Sequence, residues 1–287
     1  MTREAPPLSI GEWLKIAVER LQGVSDSPQL DAEILLGAAA GIHRVRAHAW
    51  PETKLSDEQL ANLQPLLERR ARGEPIAYIV GMQEFWSLPL RVSPAVLIPR
   101  PETELLVERA LENVPLNEPS RVLDLGTGSG AVALAIAQAR PHARILAVDI
   151  SPTALDIATE NLNSVGVANL ELRASDWFGA VRPGEHFDVI VANPPYIAEG
   201  DPALSPTVAA FEPRTALIAG PSGMEALQHI VGNATLHLRP QGHLLLEHGW
   251  QQAVEVRTLL VQTGFTRVRS WRDLAGHERV TEGQCIP

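Results

Sequence analysis

Val122-Leu-Asp-Leu-Gly126-Thr-Gly128-Ser-Gly130-Ala131 decides how the rest of the chain is read. An apolar run ends in three alternating glycines, and Ala131–Ala139 then continues at helical spacing. That is the pattern of a buried strand turning directly into a helix. Glycine lets the backbone take positive φ and lets a ligand approach it closely. The first helical turn adds free N–H groups and the positive end of the helix dipole. Asp149 closes the next apolar run, where a carboxylate can accept from ribose hydroxyls.

The loop admits three readings: a tight turn without a ligand, a dinucleotide site, or a site for S-adenosylmethionine. A dinucleotide asks for Gly-x-Gly-x-x-Gly to seat its pyrophosphate. The spacing here is Gly-x-Gly-x-Gly, preceded by Asp124, whose carboxylate repels a pyrophosphate and attracts an ammonium. The balance favours S-adenosylmethionine, which has an amino-acid end and no phosphate. Asp176-Trp177 follows a later strand, where Asp176 can accept from an exocyclic amine and Trp177 can cover a ring. A surface Asp beside a core Trp is the plainer alternative.

From Arg121 onward, strands and helices alternate. The strand candidates are Val122–Leu125, Ile145–Ile150, Leu170–Arg173, Val189–Ala192 and His243–Glu247. The helix candidates are Ala131–Ala139, Thr153–Val165 and Gln252–Thr263. This alternation predicts an α/β fold, Rossmann-like, with a mostly parallel sheet and a closing hairpin after Gly264. Upstream, residues 1–73 predict a small helical bundle. Helices start at the Ser9-x-x-Glu12 and Ser56-x-x-Gln59 capping boxes and at Pro28, and stop near Gly41 and Gly73, with Pro65 as a kink candidate. Residues 74–100 (IAYIVG, EFWSLPLRV, AVLIP) predict short strands or a β-hairpin linker, and the domain of residues 101–287 opens on a helix entered through Pro101.

Asn193-Pro194-Pro195-Tyr196 ends the strand FDVIVA. Two prolines cannot continue a ladder, so this is the strand's exit, held stiff by two fixed φ angles. An amide or base nitrogen gives its lone pair to its π system and is a poor nucleophile. The Asn193 side-chain oxygen and the Pro194 carbonyl can hold both of its N–H groups, while Tyr196 packs on its flat face. The plainer alternative is a rigid turn capped by Asn193, with Tyr196 in the core.

These residues resemble the class I methyltransferases that modify planar amino groups, and within them the release factor glutamine N5-methyltransferases. The similarity covers DAEILL (31–36), GEPIAYIVG (73–81), EFWSLPLRVSPAVLIPRPETE (84–104), VLDLGTGSGAVALAIA (122–137), AVDISPTAL (147–155), SDWF (175–178), NPPYI (193–197), FEPRTAL (211–217) and LLLEHGWQQ (244–252). The resemblance implies methyl transfer from S-adenosylmethionine to the glutamine of the Gly-Gly-Gln loop of class-1 peptide chain release factors. It carries cofactor contacts onto Gly126, Thr127, Gly128, Ser129, Gly130, Asp149, Trp177 and Asn193, with Asp176 beside them. It carries catalytic and substrate contacts onto Asn193, Pro194, Pro195 and Tyr196. It also brings the Pro99–Glu102 segment, with Arg100, and Phe85 near the pocket, and gives the N-terminal helices a part in gripping the release factor.

Composition narrows the alternatives. A formal net charge of −10 over 287 residues, 45% of them hydrophobic and 20% charged, leaves no basic footprint for a phosphate backbone. That weighs against methylation of a nucleic-acid base. A ribosomal large-subunit protein remains the rival acceptor, and a non-catalytic cofactor-binding module the rival class. No apolar run reaches the ~18 residues of a membrane span, and the first residues carry no secretory pattern. Cys285 is the one cysteine, so neither an intramolecular disulfide nor a cysteine metal cluster can form; a cytoplasmic monomer is expected. The nine histidines lack metal-binding spacing and predict no metal site. Glu247 ends a strand on the site side, and Arg69-Arg70-Ala-Arg72 predicts a solvated helix end.

Overall fold

The computed structural model describes residues 8–286; the readings made on residues 1–7 and on Pro287 lie outside them. The chain forms two compact units that divide between Gly81 and Met82.

The first unit is helical: α1 (Ile10–Leu21), α2 (Pro28–Ala40), α3 (Arg44–Ala49), α4 (Asp57–Ala71) and α5 (Ile76–Val80). Both capping boxes form. The Ser9 and Ser56 hydroxyls accept from the backbone N–H three residues on, and Glu12 and Gln59 accept from the cap backbone in return. Gly41 ends α2 in the left-handed conformation, and α4 runs through Pro65 without a break in assignment. Ile10, Trp13, Ala17 and Leu21 bury one face of α1 against Leu35, Leu36, Leu63 and Leu67. Two expectations change here. IAYIV is a helix, not a strand: its three buried residues fit one short turn against the bundle as well as they fit a strand. The basic run is also more than a solvated end, because Arg70 pairs with the buried Asp31 of α2 at 2.6 Å and Arg69 with Glu74.

The second unit opens with the hairpin β1 (Met82–Phe85) and β2 (Leu88–Arg91), paired antiparallel. AVLIP forms no strand and crosses as irregular backbone. The main sheet follows: β3 (Arg121–Leu125), β4 (Arg144–Asp149), β5 (Leu170–Ala174) and β6 (Phe187–Ala192). A small parallel pair, β7 (Ile197–Ala198) and β8 (Ile218–Gly220), precedes β9 (Leu238–Glu247), β10 (Thr266–Arg272) and β11 (Glu278–Gln284). The seven-stranded order is β10-β11-β9-β6-β3-β4-β5, parallel from β5 to β9 and closed by the antiparallel hairpin β10–β11. The central strands are near-continuous apolar runs because helices cover both faces.

The order reverses between β3 and β6. Their carboxyl ends therefore open side by side at the switch point, where α/β sheets bind ligands. Asn161, on the helix Pro152–Val165 and fully buried, ties this end together. Its Oδ1 accepts from the Arg91 N–H at 2.6 Å, and its Nδ2 donates to the carbonyls of Arg91 and Ser129. Removing it strands the buried Ser129 carbonyl and both part-buried backbone groups of Arg91. We expect Asn161→Ala to cost at least about 2 kcal/mol of stability, while exposed Asn163→Ala changes it by under ~0.5 kcal/mol; urea denaturation of both variants checks this.

Candidate active site

Two clefts open at the switch point. The first is lined by Gly126, Thr127, Gly128, Ser129, Asp149, Asp176, Trp177, Asn193, Pro194 and Pro195, with Val96, Leu97 and Pro99 across from them. The second is lined by Arg100, Asn193, Pro194, Tyr196, Glu247, Trp250 and Arg279. Leu97, Asn193, Pro194 and Ala216 belong to both, so the exit of β6 forms part of the shared wall.

The glycine loop crosses over β4. The N–H groups of Gly126 and Thr127 both donate to the Val148 carbonyl at 2.9 Å. Gly126 takes φ 73°, and a Cβ there would stand 3.6 Å from the Trp177 ring. Gly130 does not line the cleft. It sits behind it at φ 84°, where a Cβ would press on Leu134 and Ala158, so its role is close packing of the following helix. Asp149 accepts from the Gly128 N–H at 2.8 Å and the Ser151 N–H at 2.9 Å. Its carboxylate is thereby held at the rim, with lone pairs left over for hydroxyls. Asp176 is exposed at the cleft edge. Trp177 adopts φ 46°, a left-handed conformation that costs a non-glycine residue energy. The Ser175 hydroxyl holds it there, donating to the Trp177 carbonyl at 2.7 Å and accepting from the Ala180 N–H.

Asp124 lies beneath the loop, 2% exposed, and accepts from the Thr127 hydroxyl at 2.6 Å. Burial pushes its carboxyl up to about 7, and the nearby Asp149 pushes in the same direction. The described residues of the first cleft include three carboxylates and neither Lys nor Arg. Such a cleft rejects a pyrophosphate and suits a ligand with cationic groups and a flat ring. S-adenosylmethionine has both.

On the other side, the Asn193 Nδ2 donates to the Thr103 hydroxyl at 3.2 Å, and its Oδ1 makes no hydrogen bond among the described residues. Tyr196 is half-buried. Burial, followed by the charge of Glu247, raises its phenol well above the usual range, so it stays neutral. The Gln252 side chain fixes the Tyr196 carbonyl at 3.0 Å and also donates to the Gly223 carbonyl. Arg100 is in the second cleft, but its guanidinium is paired with the buried Glu212, which also accepts from the Ile98 N–H. Phe85 lies away from both clefts, packed in the core beside Leu106 and Val107, because its strand turns that face inward. Pro195 faces the first cleft rather than the second. Glu247 lies at the site, as its place at a strand end suggested, and Thr103, Glu212, Asn161 and Gln252 join it, with nothing in their local spacing to single them out. No group of three or more His, Cys, Asp or Glu among the described residues is arranged for a metal.

Comparison with known proteins identifies the family. Residues 12–81 match the PrmC N-terminal domain and residues 101–211 the methyltransferase small domain. A release factor glutamine methyltransferase of Salmonella typhimurium is 50% identical over 275 residues, covering 96% of this chain and 98% of that one. The chain belongs to the release factor glutamine methyltransferase family. The family member from Escherichia coli is likewise 50% identical, over 95% of this chain and 97% of its own. In fold, the chain resembles the 16S rRNA N2 G1207 methyltransferase of T. thermophilus, solved with AdoMet and guanosine, at TM-score 0.52 and 21% identity, covering 71% of this chain and 49% of that one. This family member is a methyltransferase, and S-adenosylmethionine is its methyl donor.

If Asp149 holds the ribose, Asp149→Ala weakens S-adenosylmethionine binding by about 1.5–3 kcal/mol, roughly 10- to 150-fold. Isothermal calorimetry decides it: unchanged affinity removes the assignment.

Proposed function

We propose that the chain methylates the side-chain amide nitrogen of the glutamine in the Gly-Gly-Gln loop of class-1 peptide chain release factors. The first cleft takes the cofactor and the second takes the amide. One observation carries this reading: Asn193-Pro194 is the polar part of the wall common to both clefts, beside Leu97 and Ala216, and the NH2 end of Asn193 is tied back to Thr103, leaving its carbonyl oxygen for a ligand. Bound S-adenosylmethionine supplies an electrophilic methyl carbon on a sulfonium.

The chain's own residues solve the problem of a weak nucleophile. The Asn193 Oδ1 and the Pro194 carbonyl each accept one N–H of the acceptor amide. This fixes its NH2 in line with the first cleft and favours positive charge growing on the nitrogen. Pro194 and Pro195 have no N–H, so no backbone donor at these positions competes for those oxygens. Tyr196, neutral in its pocket, packs against the amide plane. The N–C bond forms as the S–C bond breaks, and the methylated nitrogen, now acidic, releases its extra proton to solvent. No base is needed before transfer.

The N-terminal helical domain, residues 1–73, is assigned to grip the release factor, with residues 74–100 as linker and residues 101–287 as the catalytic domain. The chain acts as a cytoplasmic monomer without direct contact to nucleic acid, in keeping with its net charge of −10. No helix among the described residues is long and apolar enough to cross a membrane.

Radiolabelled S-adenosylmethionine offered with a release factor, a ribosomal large-subunit protein or DNA tests the acceptor. Label is expected on the release factor at the loop glutamine; label on either other acceptor, or on none, overturns the reading. In the same assay Asn193→Ala is expected to lower kcat by roughly 10²–10³-fold, the usual loss for one transition-state hydrogen bond. Cofactor affinity should stay within about tenfold.

A further inference from the structure

The mechanism leaves one question open: why does Asn193 present its oxygen, rather than its NH2, to the acceptor? An Asn amide is nearly symmetric in shape, with a donor end and an acceptor end. Turned around, it would put two N–H groups against the two N–H groups of the substrate. Something must fix the direction.

Behind Asn193 stands Thr103, 4% exposed, at the start of α6 (Glu104–Asn113). Behind Thr103 stands Glu247, 2% exposed, at the end of β9. The Thr103 hydroxyl is coupled to both: it lies 3.2 Å from the Asn193 Nδ2, and it is the polar group that most favours the ionised form of the Glu247 carboxyl. A hydroxyl has one proton to give. If that proton goes to Glu247, the Thr103 oxygen can only accept on its other side, and only the NH2 end of Asn193 satisfies it. The second Glu247 oxygen, Oε2, is buried without any hydrogen-bond partner. A carboxyl kept in that condition is not explained by the stability of the fold, since an unpaired buried oxygen costs about 1–3 kcal/mol.

We propose that Glu247 and Thr103 are positioning residues that set the direction of the Asn193 amide. Ionised Glu247 takes the Thr103 proton, Thr103 accepts from the Asn193 NH2, and the Asn193 oxygen is left facing the acceptor nitrogen. Protonated Glu247 can instead donate to Thr103, which then donates to the Asn193 oxygen, and the amide turns its NH2 end to the cleft. The inference rests on the acceptor-pair reading above and adds the polarity control behind it.

The titratable neighbours of Glu247 come from three elements. Arg279 on β11 and Arg100 on the segment before α6 favour its ionised form, while Glu102 on that segment opposes it; Tyr196, after β6, is neutral. Burial outweighs them and pushes the carboxyl up to about 7. Since the ionised form is the productive one, kcat rises with pH through that value.

The test uses the full chain with S-adenosylmethionine and a release factor, measured from pH 5.5 to 9. Thr103→Val keeps the shape and removes the hydroxyl. It is expected to lower kcat at least about tenfold, with cofactor affinity and the KM for release factor within about threefold, and Thr103→Ser is expected to restore most of the rate. Glu247→Gln, which cannot ionise, is expected to lose the rise of kcat with pH. A readout independent of turnover is the side-chain NH2 signal of Asn193 in 15N NMR spectra, assigned by its loss in Asn193→Ala. It should titrate with the same midpoint as kcat, and stop titrating in Glu247→Gln. Full kcat in Thr103→Val, an unchanged pH rise in Glu247→Gln, or an Asn193 signal indifferent to pH each overturns the relay. If the acceptor reading itself is wrong, the wild type fails to label the release factor, and the Asn193 signal still reports on the relay.

Discussion

The site depends on the side-by-side opening of β3 and β6 at the one place where the strand order reverses. A cofactor that delivers an electrophilic carbon and an amide that must be aimed at it need separate pockets with a common wall. The carboxyl end of β3 supplies the glycine loop and that of β6 supplies Asn193-Pro194. Because both strands belong to one hydrogen-bonded sheet, the distance between them is set by backbone pairing rather than by flexible side chains.

Charge then sorts the ligands. The first cleft has carboxylates and no basic side chain among its described residues, which suits a cation and discourages phosphate. The second cleft does contain Arg100 and Arg279, yet Arg100 is neutralised by Glu212 and Arg279 is paired with Asp273. The acceptor therefore meets oriented dipoles more than net charge, as an uncharged amide requires. Glu212 also accepts from the Ile98 N–H, so the one carboxylate that quiets Arg100 holds the segment that contributes to both clefts.

Much of this was legible in the sequence because it is local. Strand-to-helix turns, capping boxes and a double proline act within a few residues, and helix Ala131–Ala139 and the ends of β3, β4 and β6 lie where their patterns put them. Misreadings came where local pattern is ambiguous. IAYIV is too short for its apolar run to separate one helical turn from a strand, and the aromatic Phe85 faces the core rather than the cleft. The pairings of the supporting polar residues were not legible, even where Arg100 and Glu247 themselves were. Asn161 reaches Arg91 across 70 positions, Thr103 reaches Asn193 across 90, and Arg100 reaches Glu212 across 112. No periodicity encodes such pairs; only the closed sheet brings them together.

Those distant contacts share a logic with the double proline. An NH2 group can be held only by acceptors, and a protein backbone ordinarily offers a donor for every acceptor. At the exit of β6 the chain removes two donors outright, since Pro194 and Pro195 carry no N–H. The Asn193 NH2, a donor on the same wall, is turned away from the cleft into the Thr103 hydroxyl. On the proposed reading, a wall from which these donors are removed grips an amide nitrogen without taking its lone pair. Selectivity for nitrogen over a hydroxyl or a carboxylate follows from the same subtraction: a hydroxyl can satisfy only one of the two oxygens, and a carboxylate neither.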